Sequence, residues 1–173
     1  MIYPYQGVVP TIHHSAYIAD YVTITGDVKI GEKSSVWFNT SIRGDVAPTI
    51  IGDRVSIQDN SVLHQSPNNP LIIEDDVTVG HMVLLHSAII RKGALIGMGS
   101  HVLDKAEIGE EAFIGAGSLV PPGKVIPPRT LAFGRPAKVI RELTKDDFVE
   151  MQRIRETYVQ RGQIYKNSSP LPK

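Results

Sequence analysis

Aliphatic residues recur at every sixth position along most of this chain. Insertions after Ile42 and Leu63 and one shortened step before Ile90 shift the series without ending it. A period of six predicts that each hexad forms one short strand and one corner. The repeated positions are Ile12, Ile18, Ile24, Ile30, Val36, Ile42, Ile51, Ile57, Leu63, Ile73, Val79, Leu85, Ile90, Ile96, Val102, Ile108, Ile114, Val120 and Ile126.

The repeat predicts an all-β solenoid. Small or β-branched residues, such as Thr40, Ser61 and Val83, stand four positions after most of the aliphatic ones. The alternative, an ordinary sandwich of short strands, rarely keeps one period over such a length. In a solenoid the aliphatic residues stack in columns inside, and neighbouring turns satisfy each other's backbone. The pattern resembles the hexapeptide-repeat family, which implies a left-handed parallel β-helix with three hexads per turn, against the usual right-handed crossover rule.

The chain changes character after residue 136, which we take as the end of the β-helix domain. Thr144 and Asp147 have the spacing of a helix capping box, and the sequence predicts one α-helix, roughly 145–161, packed along the solenoid or on a neighbouring subunit. The segment 167–173 is expected to be a frayed tail. Apolar residues at helical spacing are Phe148, Met151, Ile154 and Tyr158.

Composition narrows the chemistry that is available. The chain has 173 residues with 18 basic and 18 acidic side chains, so charge favours neither nucleic acid nor an anionic membrane as a partner. There is no cysteine, which leaves His, Asp and Glu for metal binding or acid–base chemistry. No leader pattern and no long apolar run is present, so a cytoplasmic protein is expected.

Three hexads per turn assign each polar residue to a face and a turn of the solenoid. Arg43, His64 and His86 each follow an inward aliphatic residue on one face and therefore form an outer column. Adjacent turns are about 4.8 Å apart, and two nitrogens bound to one tetrahedral Zn²⁺ are separated by roughly 3.3 Å. His64 and His86 can therefore share a metal. Asp59 and His81 form a second column on the preceding face.

His81 and His86 are only five positions apart, yet they lie on different faces of this solenoid. One chain does not easily bring both to one metal. In a cyclic trimer, the face bearing His64 and His86 meets the neighbour's face bearing His81, which gives one three-histidine site at each interface. The alternative is that these are unrelated surface or interface histidines. Because the three histidines fall on corresponding turns of the solenoid, a shared metal site is favoured.

The remaining histidines and the tryptophan are assigned no chemistry. His13, His14 and His101 lie off both columns and are expected at the surface. Trp37 points outward on the face of His81 and is expected to pack at an interface or beneath the helix.

Three segments resemble the γ-class carbonic anhydrases, a trimeric branch of the hexapeptide-repeat proteins: "RGD" at 43–45, "SIQDNSVLH" at 56–64 and "VGHMVLLH" at 79–86. The resemblance covers nearly the whole chain. It implies that His64 and His86 of one subunit and His81 of the next bind Zn²⁺, with Fe²⁺ or Co²⁺ as alternatives, in a homotrimer.

The same resemblance implies roles for further residues. It implies an intersubunit ion pair of Arg43 with Asp59, supported by Asp45. Gln58 matches a glutamine that hydrogen-bonds solvent on the metal. Tyr158 is the best match for a tyrosine near the metal, and Tyr165 is the second.

The implied reaction is reversible hydration of CO₂ to bicarbonate by metal-bound hydroxide. Three neutral imidazoles leave the metal dipositive with an open fourth position, and the metal then lowers the pKa of bound water to around 7. The chain departs from the prototype, because the corner 65–71, "QSPNNPL", lacks the acidic loop and its proton-shuttling glutamate. Val46 also replaces a glutamate after "RGD". These features are those of a shorter subclass, and slow turnover is expected.

Two other functions compete with this one. Hexapeptide-repeat acyltransferases use the same fold, often with one histidine as general base, and "GRPAK" at 134–138 resembles a segment shared across the superfamily. Fold alone does not decide between them. The second alternative is a metal-binding trimer with another or no reaction, which the missing shuttle residues favour.

Overall fold

The computed structural model describes residues 1–168, and over these residues the chain forms a parallel β-solenoid of about seven turns followed by one α-helix. This confirms the predicted solenoid of hexapeptide repeats with a C-terminal helix. Of the predicted tail at 167–173, residues 169–173 lie outside the described residues.

The strands stack in register into three faces, here called A, B and C. Face A is β3 (Tyr17–Ile18), β5 (Ser35–Val36), β7 (Ser56–Ile57), β10 (Thr78–Val79), β13 (Leu95–Ile96), β16 (Phe113–Ile114), β19 (Thr130–Gly134) and β20 (Ala137–Glu142). Face B holds β1 (Ile2–Tyr3), β8 (Val62–His64), β11 (Leu84–His86), β14 (His101–Val102) and β17 (Leu119–Val120). Face C holds β2 (Thr11–Ile12), β9 (Leu71–Ile73), β12 (Ile89–Ile90), β15 (Glu107–Ile108) and β18 (Val125–Ile126). Two longer strands, β4 (Thr23–Ile30) and β6 (Ser41–Ile51), run from face B to face C.

The interior is built from the aliphatic columns. Every predicted inward position from Ile24 to Ile126 is buried. Full burial of one such side chain stabilises the fold by about 1.5–3 kcal/mol. Ile12 and Ile18 are only half-buried, because they belong to the first turn and have few neighbours beyond it.

In successive turns of the solenoid, the corner between face A and face B contains one residue in the left-handed region of φ. Asn39, Asn60 and Met82 occupy this corner with φ of 60°, 60° and 57°, and Gly99 and Gly117 follow above with φ of 66° and 70°. Asn and Gly adopt this conformation readily, whereas Met does so at a cost. The turn at Met82 lies between β10 and β11, where it redirects the chain from face A onto face B.

The end of the solenoid is closed by a hairpin. The prolines at 121–128 lie at corners and do not end the strand stacking, since β18 and β19 still pair in parallel with β15 and β16. β20 then pairs antiparallel with β19. The expected boundary after residue 136 therefore falls in the turn of this hairpin.

Helix α1 (Lys145–Lys166) starts at the predicted capping box, in which the Thr144 and Asp147 side chains each bond the other's backbone. It runs five residues beyond the predicted end at 161. Met151 is buried against the solenoid. At Gly162 an added Cβ would lie 3.1 Å from the Ser35 Cβ, so a residue that disfavours helices is retained where helix and sheet approach closely.

The helix lies along face A and runs back toward the first turn of the solenoid. Near its beginning, the Arg129 guanidinium lies 4.6 Å from the Phe148 ring centroid. Near its end, Gln163 Nε2 donates to the Ser15 carbonyl at 3.1 Å. The helix therefore spans the solenoid of its own subunit. It is too polar along its length to cross a membrane.

Candidate metal centre

His64 and His86 stand one above the other on face B. They are direct partners in the parallel register of β8 and β11, and the inward neighbours Leu63 and Leu85 are fully buried. Because side chains alternate along a strand, burial of these leucines points both imidazoles outward. The Nδ1 of His64 lies 3.2 Å from the Nε2 of His86, close to the separation of roughly 3.3 Å for two nitrogens on one tetrahedral Zn²⁺.

In each imidazole of this pair, the nitrogen that points away from the other ring lies within hydrogen-bond distance of a carboxylate. The far nitrogen of His64, Nε2, lies 3.1 Å from Asp45 Oδ1, and the far nitrogen of His86, Nδ1, lies 2.5 Å from Asp104 Oδ1. An ionised carboxylate only accepts hydrogen bonds, so each far nitrogen carries the proton in the tautomer whose ring donates to its carboxylate. In that tautomer the near nitrogens, His64 Nδ1 and His86 Nε2, carry lone pairs, and a divalent cation between them would bind both.

Electrostatics keep His64 in the form that binds metals. Burial lowers the pKa of His64, and the positive charge of Arg43 lowers it further, although Asp45 acts in the opposite direction. The pKa of Asp104 is also lowered, chiefly by the hydrogen bond from the Ser66 hydroxyl, with His86 acting in the same sense. Neutral imidazoles backed by ionised carboxylates are the donor set expected for zinc, and for iron or cobalt.

His81 is placed on face A, directly after β10 and before the left-handed turn at Met82. Its Nδ1 lies 2.8 Å from Asp59 Oδ2, as the predicted second column requires. Within residues 1–168 of one subunit, no group of three His, Asp or Glu side chains converges as metal ligands. His81 of a neighbouring subunit therefore stays a prediction as the third ligand beside His64 and His86.

Of the two predicted tyrosines, Tyr158 is the one that reaches His81. Its hydroxyl lies 3.3 Å from His81 Nε2. Burial raises the pKa of Tyr158, so its hydroxyl keeps its proton at neutral pH. Tyr165 packs instead on Trp37, with ring centroids 5.2 Å apart, which favours Tyr158 over Tyr165. Trp37 itself lies beneath the helix, one of the two predicted locations, and contacts the Tyr158 ring at 5.5 Å.

Gln58 is buried on face A and borders a cleft of about 310 Å³ between helix and solenoid. The cleft walls are largely apolar, and Leu95, Phe113 and Ile154 contribute to them. His81 and Tyr158 also line this cleft. The predicted glutamine and tyrosine therefore share one space with His81.

The predicted Arg43–Asp59 ion pair has no counterpart within one subunit. Arg43 is held on face B by Asp45, with Nη1 and Oδ2 2.8 Å apart, and its side chain is 51% exposed. Asp59 faces His81 on face A. The pair stays a prediction for the contact between subunits. Gly44 lies where an added Cβ would collide with the Asp27 carbonyl, so the residue between Arg43 and Asp45 must be glycine.

Sequence reasoning missed Asp104 and its hydrogen-bond partner Ser66. Asp104 lies two positions after the inward Val102, on the turn next to His86. On the face of His64 and His86, only the position directly after each aliphatic residue was assigned to a column, whereas the next position, which was used for Asp59 and His81 on the preceding face, also holds Asp104. His14 is exposed, and its ring packs on that of His13 at 4.3 Å, away from the two columns.

Comparisons with known proteins agree with the repeat and the fold. Residues 87–122 match the family "Bacterial transferase hexapeptide (six repeats)", and residues 70–103 match "Hexapeptide repeat of succinyl-transferase". A carbonic anhydrase of Geobacillus kaustophilus is 77% identical over 96% of this chain and 91% of its own length. An uncharacterized transferase of Bacillus subtilis is 71% identical over 96% of this chain and 97% of its own. The mitochondrial gamma carbonic anhydrase 2 of Arabidopsis thaliana is 33% identical over 92% of this chain and 60% of its own.

Proposed function

Because this chain belongs to the γ-class carbonic anhydrase family of hexapeptide-repeat proteins, we propose that it is a metal-dependent enzyme that hydrates CO₂ reversibly to bicarbonate. The proposed site is shared between subunits of a homotrimer. One observation carries the proposal: two imidazole nitrogens, His64 Nδ1 and His86 Nε2, face each other at 3.2 Å, and each ring is backed by a carboxylate.

Three histidines would hold the metal: His64 and His86 from one subunit and His81 from its neighbour. When bound there, Zn²⁺, or Fe²⁺ or Co²⁺, supplies Lewis acidity that lowers the pKa of water at the open position to around 7. Asp59 keeps the proton of His81 on Nδ1, which leaves Nε2 as the ligand atom. Three rings are thus oriented by three carboxylates.

Gln58 and Tyr158 would act on the reacting molecules rather than on the metal. The amide of Gln58 both donates and accepts hydrogen bonds without adding charge, which suits it to orient the attacking oxygen. The protonated hydroxyl of Tyr158 donates to an oxygen of CO₂ or bicarbonate. The largely apolar cleft walls beside them lower the local dielectric and strengthen these polar contacts.

Proton release is the step for which the corner 65–71 and position 46 supply no carboxylate as an acceptor. Buffer or open solvent therefore takes the proton. Turnover should then rise with the concentration of imidazole buffer. Slow turnover that is independent of buffer would contradict this route.

The test is metal content per subunit together with CO₂ hydration for the wild type and for His81→Asn. We expect one metal per subunit in the wild type, and loss of both metal and activity in the variant. The matched control is His14→Asn, which removes an exposed imidazole outside both columns and should change neither. Full metal retention in His81→Asn would contradict the interfacial site.

The names of the hexapeptide families and of the Bacillus subtilis relative favour a second candidate, acyl transfer from a coenzyme A thioester. This function needs a histidine base but no metal. It therefore predicts acetyl-CoA consumption that survives chelation. A third outcome, one metal per subunit without CO₂ hydration, would indicate a metal-binding trimer with another role.

A further inference from the structure

Asp104 is a carboxylate on face B whose two oxygens bind two different partners. Oδ1 accepts from His86 Nδ1 at 2.5 Å. Oδ2 accepts from the Ser66 hydroxyl at 2.5 Å. The residue lies one turn above His86 and far from it in sequence, so the stacking of the solenoid creates the contact. Rotation of the carboxylate away from His86 would break both hydrogen bonds at once.

Ser66 is itself fixed, because it belongs to the corner that follows His64. Its backbone N–H donates to the Ser87 hydroxyl at 2.7 Å, and that hydroxyl donates to the Asn69 carbonyl at 2.7 Å. Ser66 and Asn69 also form an antiparallel bridge across the corner. Ser66 therefore presents its own hydroxyl to Asp104 from a position determined by several backbone contacts.

We propose that Asp104 is a positioning residue that fixes His86 as the Nδ1–H tautomer with Nε2 directed at His64. Ser66 in turn holds Asp104, so the corner 65–71 fixes the orientation of a predicted metal ligand. The consequence for metal binding rests on the function proposed above, whereas the assignment of the tautomer does not.

The chemistry of the imidazole gives the expected effect. Without a carboxylate at Nδ1, neutral His86 can carry its proton on Nε2, and that N–H then points at the place where a metal would bind. Removal of an outer carboxylate of this kind typically lowers metal affinity 10- to 100-fold. Asparagine at position 104 keeps one oxygen that accepts from Nδ1–H, but it loses the charge and replaces the oxygen that accepts from Ser66 with an NH₂ group, so it should rescue only part of the effect.

The first measurement is the tautomer of His86 in metal-free protein, read from imidazole ¹⁵N chemical shifts. We expect the Nδ1–H form in the wild type and in Asp104→Asn, and a mixture of tautomers in Asp104→Ala. Ser66→Ala, which leaves the carboxylate in place but free to turn, should give an intermediate mixture. The matched control is Glu107→Ala, because the Glu107 carboxylate pairs with Arg91 at 2.8 Å and has no hydrogen bond to a histidine within residues 1–168.

The second measurement is affinity for Co²⁺ by competition with a chelator, followed by the visible absorption of the bound ion. We expect a 10- to 100-fold loss in Asp104→Ala, a smaller loss in Asp104→Asn, and no loss in Glu107→Ala. An unchanged Nδ1–H tautomer in Asp104→Ala would overturn the proposal. Failure of the wild type to bind Co²⁺ would contradict the proposed function, while the tautomer result would stand by itself.

Discussion

A mixture of two variants that lack the metal site tests whether subunits share it. His81→Asn keeps the His64–His86 pair on face B and loses the third ligand on face A. His86→Asn keeps His81 and loses the pair. Neither variant alone builds a site. In a mixed trimer, however, an interface with an intact face B from one subunit and an intact His81 from the next has all three ligands.

The expected recovery follows from the geometry of a ring of three. In any mixed trimer, whichever variant is present twice, one interface out of three joins an intact face B to an intact His81. Tandem affinity purification with a different tag on each variant removes the unmixed trimers. We therefore expect about one third of the wild-type metal content and of the CO₂ hydration rate per subunit in the purified mixture.

The sharpest control uses two variants that damage the same face. His64→Asn and His86→Asn both break the pair on face B, so no interface in their mixed trimers regains three ligands. We expect no metal in this mixture. Trimers of His81→Asn with His86→Asn that stay intact by light scattering yet bind no metal would refute the shared site, and so would recovery in the control.

Four further predictions concern single side chains. Tyr158→Phe should keep its metal, measured by elemental analysis, and lose roughly threefold to tenfold in kcat/KM for the single hydrogen bond removed. Leu85→Ala should lower the free energy of unfolding by about 2–5 kcal/mol in urea titration, while the exposed Ile164→Ala should stay within about 0.5 kcal/mol. Thr144→Ala removes the helix cap and should cost about 1 kcal/mol, with metal content unchanged. In metal-free protein, the pKa of His64 measured by NMR should lie below the ordinary histidine value. The free energy of unfolding should fall as pH falls through about 6.5, because the unfolded chain then binds the proton more readily than the folded one. A pKa of His64 above the ordinary value would contradict the role of burial.

The placement of the histidines was predictable because the period of the chain determines the register. Once Leu63 and Leu85 occupy the same column, His64 and His86 must be neighbours, and the structure has them as direct partners. The same register predicts Asp59 beside His81, and Asp59 Oδ2 lies 2.8 Å from His81 Nδ1. A strict repeat converts sequence positions into spatial ones without knowledge of side-chain packing.

Features that depend on packing between elements were less predictable. Helix propensity favours an end before Gly162, yet the helix continues to Lys166 because that glycine allows contact with Ser35. Strand β20 carries no hexad, and it forms because β19 offers an unpaired edge. The role of Asp104 depends on a hydrogen bond from a corner whose conformation the repeat does not specify.

The course of the C-terminal helix has a consequence for how the protein unfolds. In a repeat array each turn contacts only its neighbours, so its ends can fray while the middle persists. Here one helix binds both extremes: Arg129 near the last turn contacts Phe148, and Lys166 donates to the Ala16 carbonyl in the first turn at 3.0 Å. Loss of either terminal turn therefore removes one attachment of the helix. The helix then also stabilises the opposite terminal turn less. The helix joins the ends of a one-dimensional stack into one cooperative unit.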